Sequence, residues 1–255
     1  MINAIAIIPA RMGSSRFPGK PLAKICGMPM VGHCYLRTRM CEDLSGTYVA
    51  TCDKEIADYI TSIGGRAIMT ADTHERASDR AAEAMLKLEN ESAQVADIVV
   101  MVQGDEPMLT PGMISAALKP FQDESVNVVN LMASIRSEIE FEDPNEIKVV
   151  VDKEDYAIYF SREPIPTRSK GIKDGPKLKQ VCIIPFRRDY LIKFNATPET
   201  VLERTESIDM MRIIENGERV KMVMSEQETY SVDTETDLAA VELRMRSDAL
   251  ISSYI

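Results

Sequence analysis

The chain has little histidine, little cysteine and no long apolar run, and each shortage removes a class of function. Only His33 and His74 occur in 255 residues, which argues against a zinc site. The five cysteines (Cys26, Cys34, Cys41, Cys52, Cys182) are odd in number and form no C-x-x-C pair, as expected of reduced, mostly buried thiols in a cytoplasmic protein. No apolar stretch approaches the roughly 18–20 residues that cross a bilayer. The N-terminus also lacks the charged leader and long apolar core of an export signal. A net charge of −10 disfavours nucleic acid as the main partner. Two common phosphate fingerprints are missing as well. A P-loop reads G-x-x-x-x-G-K-[ST], but here five residues separate Gly13 from Gly19, and Pro21 follows Lys20. The dinucleotide motif G-x-G-x-x-G is absent.

What is present begins at once. The apolar run Ala4-Ile5-Ala6-Ile7-Ile8 leads into Pro9-Ala10-Arg11-Met12-Gly13-Ser14-Ser15-Arg16-Phe17-Pro18-Gly19-Lys20-Pro21. A buried strand ending in a small-residue loop is suited to holding phosphate: backbone N–H groups approach the anion, and Arg11, Arg16 and Lys20 supply countercharge. Residues 1–41 carry six basic side chains and no Asp or Glu, in a chain that is acidic overall. A plain surface loop with solvated charges is the competing reading.

Hydrophobic patterning places strands near residues 4–8, 47–50, 66–69, 98–102 and 127–133, alternating with helices near 30–40, 54–63, 78–88 and 112–121. That alternation predicts an α/β fold with a mainly parallel central sheet flanked by helices. Ligands of such sheets bind beyond the carboxyl ends of the strands, where the 9–20 loop lies. The second half reads as a hairpin (147–151 and 157–160), a polar loop at 167–179 that is either a lid or a linker, and a strand at 181–184. Helices near 188–195 and 206–215, a strand at 220–224 and a closing helix from 234 to about 246 complete it.

Two aspartates have the setting of metal ligands. Val99-Val100-Met101-Val102 is a buried-strand pattern ending in Gln103-Gly104-Asp105-Glu106-Pro107, so Asp105 faces the same rim as the cationic loop. Magnesium takes one or two protein carboxylates and fills its shell with phosphate oxygens. A turn or N-cap role is the alternative for Asp105. Later, Thr234 and Asp237 make a capping pair for the last helix without Asp233. Asp233 is thus a second candidate ligand, with a capping role of its own as the alternative. Two carboxylates and a cationic loop around a triphosphate would form a metal-assisted phosphoryl-transfer site.

Taken together, the blocks Ile7-Ile8-Pro9-Ala10-Arg11, Ser14-Ser15-Arg16-Phe17-Pro18-Gly19-Lys20-Pro21-Leu22 and Gly27-Met28-Pro29-Met30 resemble the opening of the CMP-Kdo synthetases, the 3-deoxy-manno-octulosonate cytidylyltransferases. Further matches follow in family order: Val49-Ala50-Thr51 with Asp53, His74 with Asp79-Arg80, Gln103-Gly104-Asp105-Glu106-Pro107, Tyr159-Phe160-Ser161-Arg162 with Ile165-Pro166, and Val232-Asp233-Thr234. The resemblance implies a single domain of nucleotide-diphospho-sugar transferase (Rossmann-like) fold with a smaller β-rich lobe. It divides the chain into a CTP-binding part (about 1–135), a sugar-binding and dimerisation part (about 136–225) and a closing segment (about 226–255). It also implies a homodimer, CTP, Mg²⁺, and a cytoplasmic role in lipopolysaccharide or surface polysaccharide synthesis. The implied catalytic residues are Arg11, Lys20, Asp105 and Asp233, the aspartates holding the metal. Ala10, Arg11, Ser14, Arg16, Lys20, Arg76 and Arg80 would contact the nucleotide, and Gln103, Arg162, Gln180 and Asp209 the sugar acid.

The chain departs from the family pattern in three places. The family's H-x-S-G-T-[DE]-R is His74-Glu75-Arg76-Ala77-Ser78-Asp79-Arg80 here. Its H-[IL]-G-[IV]-Y-x-[YF] strand is Gln180-Val181-Cys182-Ile183-Ile184-Pro185-Phe186, without the histidine and first tyrosine. Its E-x-[LM]-E-Q-L-R helix is Glu206-Ser207-Ile208-Asp209-Met210-Met211-Arg212, without the glutamine. These changes leave two acceptors open, Kdo itself or a modified 2-keto-3-deoxy sugar acid. A nucleotidyltransferase for a neuraminic-type acid or a sugar phosphate is a rival, disfavoured by the Tyr159–Arg162 block. A non-catalytic nucleotide-binding regulator is another, disfavoured by the joint presence of Lys20, Asp105 and Asp233.

Overall fold

A computed structural model describes residues 2–13, 17–172 and 175–255. The first half runs β1 (Ala4–Pro9), the two-residue strands β2 (Lys24–Ile25) and β3 (Met28–Pro29), α1 (Met30–Arg39) and β4 (Gly46–Thr51). It continues through α2 (Lys54–Ser62), β5 (Ala67–Met69), α3 (Ala77–Ser92), β6 (Ile98–Val102) and α4 (Pro111–Leu118). The second half opens with β7 (Val129–Ser134), α5 (Glu138–Glu142), β8 (Lys148–Val151), β9 (Ala157–Ser161), β10 (Leu178–Val181) and β11 (Ile183–Arg187). It closes with α6 (Arg188–Ala196), α7 (Val201–Glu206), α8 (Met210–Glu215), β12 (Lys221–Met224) and α9 (Glu235–Met245).

The central sheet has the order β11-β6-β1-β4-β5 and is parallel except for β11, which runs against β6. Its middle strands are buried on both faces, so they read as continuous apolar runs. Alternate residues serve opposite layers. Ile5, Ile7, Val99 and Met101 pack into one core with α3 and α6, while Ala4, Ala6, Ile8, Ile98, Val100 and Val102 pack into another with α1 and α4. Among the described residues no helix is long and apolar enough to cross a membrane.

The second sheet, β12-β7-β10-β8-β9, is antiparallel apart from the β12–β7 pair. A bridge between Val128 and Phe186 joins it to the central sheet. The strand expected at 127–133 therefore belongs to this second sheet. The single strand expected at 181–184 is two strands: β10 and β11 sit in different sheets, with Cys182 between them. The end of the polar 167–179 stretch is already β10, and its Lys173 and Asp174 lie outside the described residues. Of the helix expected at 206–215 only 210–215 forms, as α8, because Ser207 turns left-handed (φ 55°, ψ 49°) and ends a separate helix, α7, that the sequence pattern did not show. The predicted hairpin is the antiparallel β8–β9 pair.

Candidate active site at the rim of the central sheet

The carboxyl ends of β1 and β6 bring the two motif loops side by side. Gly104 sits where a Cβ would lie 3.2 Å from the Pro9 carbonyl oxygen, so glycine lets the loops touch. Asp53, at the end of β4, accepts the Met12 N–H at 2.8 Å, and the Gly19 N–H donates to the Met12 carbonyl at 3.1 Å. Gly19 has φ 76°, which glycine adopts without strain, and this turns the chain so that Lys20 points back toward β6. Ser14 and Arg16 lie outside the described residues.

Lys20 ties three distant segments together. Its Nζ donates to Asp105 Oδ2 at 2.8 Å, to the Val232 carbonyl at 2.8 Å and to Asp233 Oδ1 at 3.3 Å. Burial works against the ammonium charge, but the two carboxylates outweigh it and raise the lysine's pKa. The last helix leaves Asp233 available for this. Thr234 and Asp237 cap it reciprocally: Thr234 Oγ1 accepts the Asp237 N–H at 3.2 Å, and Asp237 Oδ2 accepts the Thr234 N–H at 2.9 Å. The Val232 N–H donates to the Asp105 carbonyl at 3.0 Å and fixes the stretch before α9 against the loop after β6.

Two cavities meet here. One, of about 300 Å³, is lined by Ala10, Arg11, Gly13, Lys20, His74 and Arg80 among others. The other, of about 350 Å³, lies over the second sheet and is lined in part by Glu106, Arg162, Lys179, Gln180, Asp209 and Asp233. Glu75, Arg76, Ala77, Gln103 and Asp105 line both. Each is large enough for a small polar ligand. With an acidic dyad and a cation at their junction, the arrangement can hold a polyanion on one side and a nucleophile on the other.

Several expected residues turn out to have structural partners. Arg80 is buried, with Nη1 donating to Thr70 Oγ1 and the Ala71 carbonyl and Nη2 to the His74 carbonyl, so it shapes the 70–74 loop. Arg162 donates Nε, Nη1 and Nη2 to the carbonyls of Glu206, Pro144 and Ser207. Glu206 in turn accepts from Tyr159, Ser161 and the Arg162 N–H, which explains much of that motif. Gln180 donates to Asn130 Oδ1 across the sheet. His33 is a core residue, bonded to the Ile25 carbonyl and to Tyr254.

Sequence reasoning passed over Glu106 and Lys179. Burial, with repulsion from Asp105, pushes the Glu106 carboxyl up to about 8. Lys179 is also buried and pairs with Glu140 and Glu146 at 2.6 and 3.1 Å. The position of Glu106 beside Asp105 was the one available signal; Lys179 lay in a stretch that read as loop.

The pair Asp105 and Asp233 fits a hard cation on the evidence of Lys20, whose ammonium already lies between them. No cluster of three or more acidic, His or Cys ligands occurs among the described residues. A metal here would therefore complete its shell with ligand oxygens, as magnesium does with phosphates.

Comparison with known proteins shows the family. The cytidylyltransferase family model matches residues 5–221. The 3-deoxy-manno-octulosonate cytidylyltransferase of Geotalea uraniireducens is 44% identical over 94% of this chain and 98% of its own length. That of Trichlorobacter lovleyi is 41% identical over 96% and 99%. A CMP:2-keto-3-deoxy-manno-octonic acid synthetase solved in complex with CTP superposes with a TM-score of 0.87 at 37% identity, covering 96% of this chain and 98% of that one. The chain belongs to the cytidylyltransferase family, within its 3-deoxy-manno-octulosonate cytidylyltransferase branch.

Proposed function

We propose that this protein activates 3-deoxy-manno-octulosonate, or a close 2-keto-3-deoxy sugar acid, with CTP. The anomeric hydroxyl oxygen attacks the α-phosphorus, the bond to the β-phosphate oxygen breaks, and CMP-sugar and pyrophosphate result. The observation that carries this reading is the convergence of Lys20, Asp105 and Asp233 at the junction of two cavities. In-line displacement at phosphorus needs chiefly positioning and charge neutralisation, and this site is built for both.

In this reading CTP lies in the cavity lined by Ala10, Arg11 and Lys20, with Ser14 and Arg16 as further contacts. Lys20 and Arg16 would stabilise the departing pyrophosphate. Gln103, which lines both cavities, would meet the attacking hydroxyl, while Arg162, Gln180 and Asp209 would shape the acceptor side. Asp105 and Asp233 would hold Mg²⁺, which when bound supplies polarisation of the α-phosphate. Residues 1–135 would serve the nucleotide, 136–225 the sugar acid and the contacts of a homodimer, and 226–255 would close the site with Asp233. The product would serve surface polysaccharide synthesis, including lipopolysaccharide, from the cytoplasm.

The test is Mg²⁺-dependent pyrophosphate release from CTP with Kdo. Wild type should turn over, and Asp105→Ala should lower the rate by about 10²–10³-fold or more, the usual cost of one electrostatic stabiliser. Faster release with another nucleotide, or with a neuraminic-type acid or sugar phosphate, would overturn the substrate assignment. CTP binding without release across the whole acceptor panel would overturn catalysis.

A further inference from the structure

The acceptor-side cavity contains more acid than base, yet the proposed acceptor is itself an anion. Three cations line that cavity: Arg76, Arg162 and Lys179. Each of the three nitrogens of Arg162 already donates one hydrogen bond to a main-chain carbonyl. Lys179 gives its three protons to Glu140, Glu146 and the Thr229 carbonyl. Lys20, next door, is committed to Asp105, Asp233 and the Val232 carbonyl. Arg76 differs. Its Nε donates to Glu199 at 3.1 Å and its Nη1 pairs with Asp209 at 3.2 Å, while its Nη2 has no partner among the described residues.

Both partners of Arg76 draw it away from the nucleotide. Asp209, at the start of α8, lines only the acceptor cavity, and Glu199 lines neither cavity. The arginine occupies the residue position just before α3 in extended conformation (φ −97°, ψ 145°), and its side chain reaches Asp209 on the acceptor side. Its side chain retains 23% exposure, enough to meet a ligand. Asp209 is anchored from below by Ser78 Oγ at 3.2 Å. The guanidinium is therefore held on two sides with one amino group to spare.

We infer that Arg76 is the residue that reads the negative charge of the acceptor, pairing with its carboxylate, with Asp209 and Glu199 fixing its direction. This rests on the cytidylyl-transfer reading above and moves Arg76 from the nucleotide to the sugar acid. Planar guanidinium donors suit carboxylate, and the two N–H groups of the unengaged Nη2 are what Arg76 offers to an acid. Discrimination between a carboxylate and its neutral amide is thus assigned to Arg76.

The experiment measures pyrophosphate release by wild type, Arg76→Gln and Arg76→Lys, varying CTP and acceptor separately, with the acceptor supplied as free acid and as C1 carboxamide. Arg76→Gln should raise the acceptor KM by about 10- to 100-fold, the range of one charge-assisted hydrogen bond. It should leave the CTP KM within about twofold and abolish the preference for acid over amide, while Arg76→Lys restores part of that preference. An Arg76→Gln enzyme that still prefers the acid by the wild-type factor overturns the inference. So does a rise in the CTP KM alone, or a fall in melting temperature with both KM values unchanged. Failure of wild type to release pyrophosphate with any sugar acid would sink the cytidylyl-transfer reading, and the inference with it. Turnover by wild type with an indifferent variant would sink only the inference.

Discussion

Glu83 shows how a single carboxylate supports the cavity lined by Lys20, His74 and Arg80 from outside it. Its oxygens accept from Lys87 at 2.8 Å, from the Ala71 N–H at 2.9 Å and from His74, and so brace the loop that ends at the cavity wall. Burial favours its protonated form, but the bonds from Lys87, Ala71 and His74 outweigh that and hold its pKa at about 2, below the ordinary 4.5. A carboxylate depressed in this way stabilises the fold fully above its unfolded pKa. The contribution is lost as pH falls through the window from 4.5 to about 2. Glu83→Gln should therefore cost about 1–2 kcal/mol near neutral pH, discounted for partial exposure, and the gap to wild type should close toward the acid end of that window. Thermal melts of both proteins across the window check it; a penalty independent of pH would mean that packing, not charge, is lost. At this scale the site was partly legible. Asp105 stood out because it ends an apolar strand, and Asp233 because the cap beside it needs only Thr234 and Asp237. The direction of Arg76 and the carbonyl partners of Arg162 were not legible, since they depend on α7 and α8 folding against β9.

The break between α7 and α8 is the element that sequence patterning missed most clearly. Residues 206–215 contain no Gly or Pro and read as one helix. Tertiary contacts instead end α7 at Glu206 and leave only 210–215 of the span helical. Glu206 is held by β9 through Tyr159 and Ser161, Arg162 takes the Ser207 carbonyl, and the buried Arg212–Glu203 pair folds α8 back on α7. Ser207 consequently takes φ 55°, where a side chain costs about 1–2 kcal/mol and glycine costs little. Ser207→Gly should raise stability by about 0.5–1 kcal/mol and Ser207→Val should lower it, measured by urea melts. A continuous helix would give the opposite sign for glycine, a loss of about 0.5 kcal/mol relative to serine. The β10–β11 division was hidden for a related reason: Val181-Cys182-Ile183-Ile184 is an unbroken apolar run, and nothing in it marks a change of sheet. The parallel core strands, by contrast, were legible because both faces are buried and each run ends at turn residues.

Across the whole molecule, the junction of the two cavities depends on contacts far from it. Asp233 reaches Lys20 across 213 positions of sequence, and the segment that carries it is tied down at the opposite side of α9. There Arg37 of α1, with a side chain only 1% exposed, pairs with Asp248. Its Nε donates to Tyr254 Oη at 2.8 Å, and Tyr254 also meets His33 at 2.9 Å. Removing the carboxylate strands a buried guanidinium, whereas removing both charges does not. Asp248→Ala should thus cost about 3 kcal/mol in a denaturant melt, near the lower end for breaking a buried pair, and Arg37→Met with Asp248→Ala together should cost less than the single change. Because the same segment carries Asp233, the single variant should also lose turnover in proportion to how far the closing segment loosens, read by limited proteolysis after Val232. If Asp248→Ala melts like wild type, the closing segment is held by the apolar contacts of Val232, Val241 and Met245 with Ile25 and Met30, and the ion pair is dispensable.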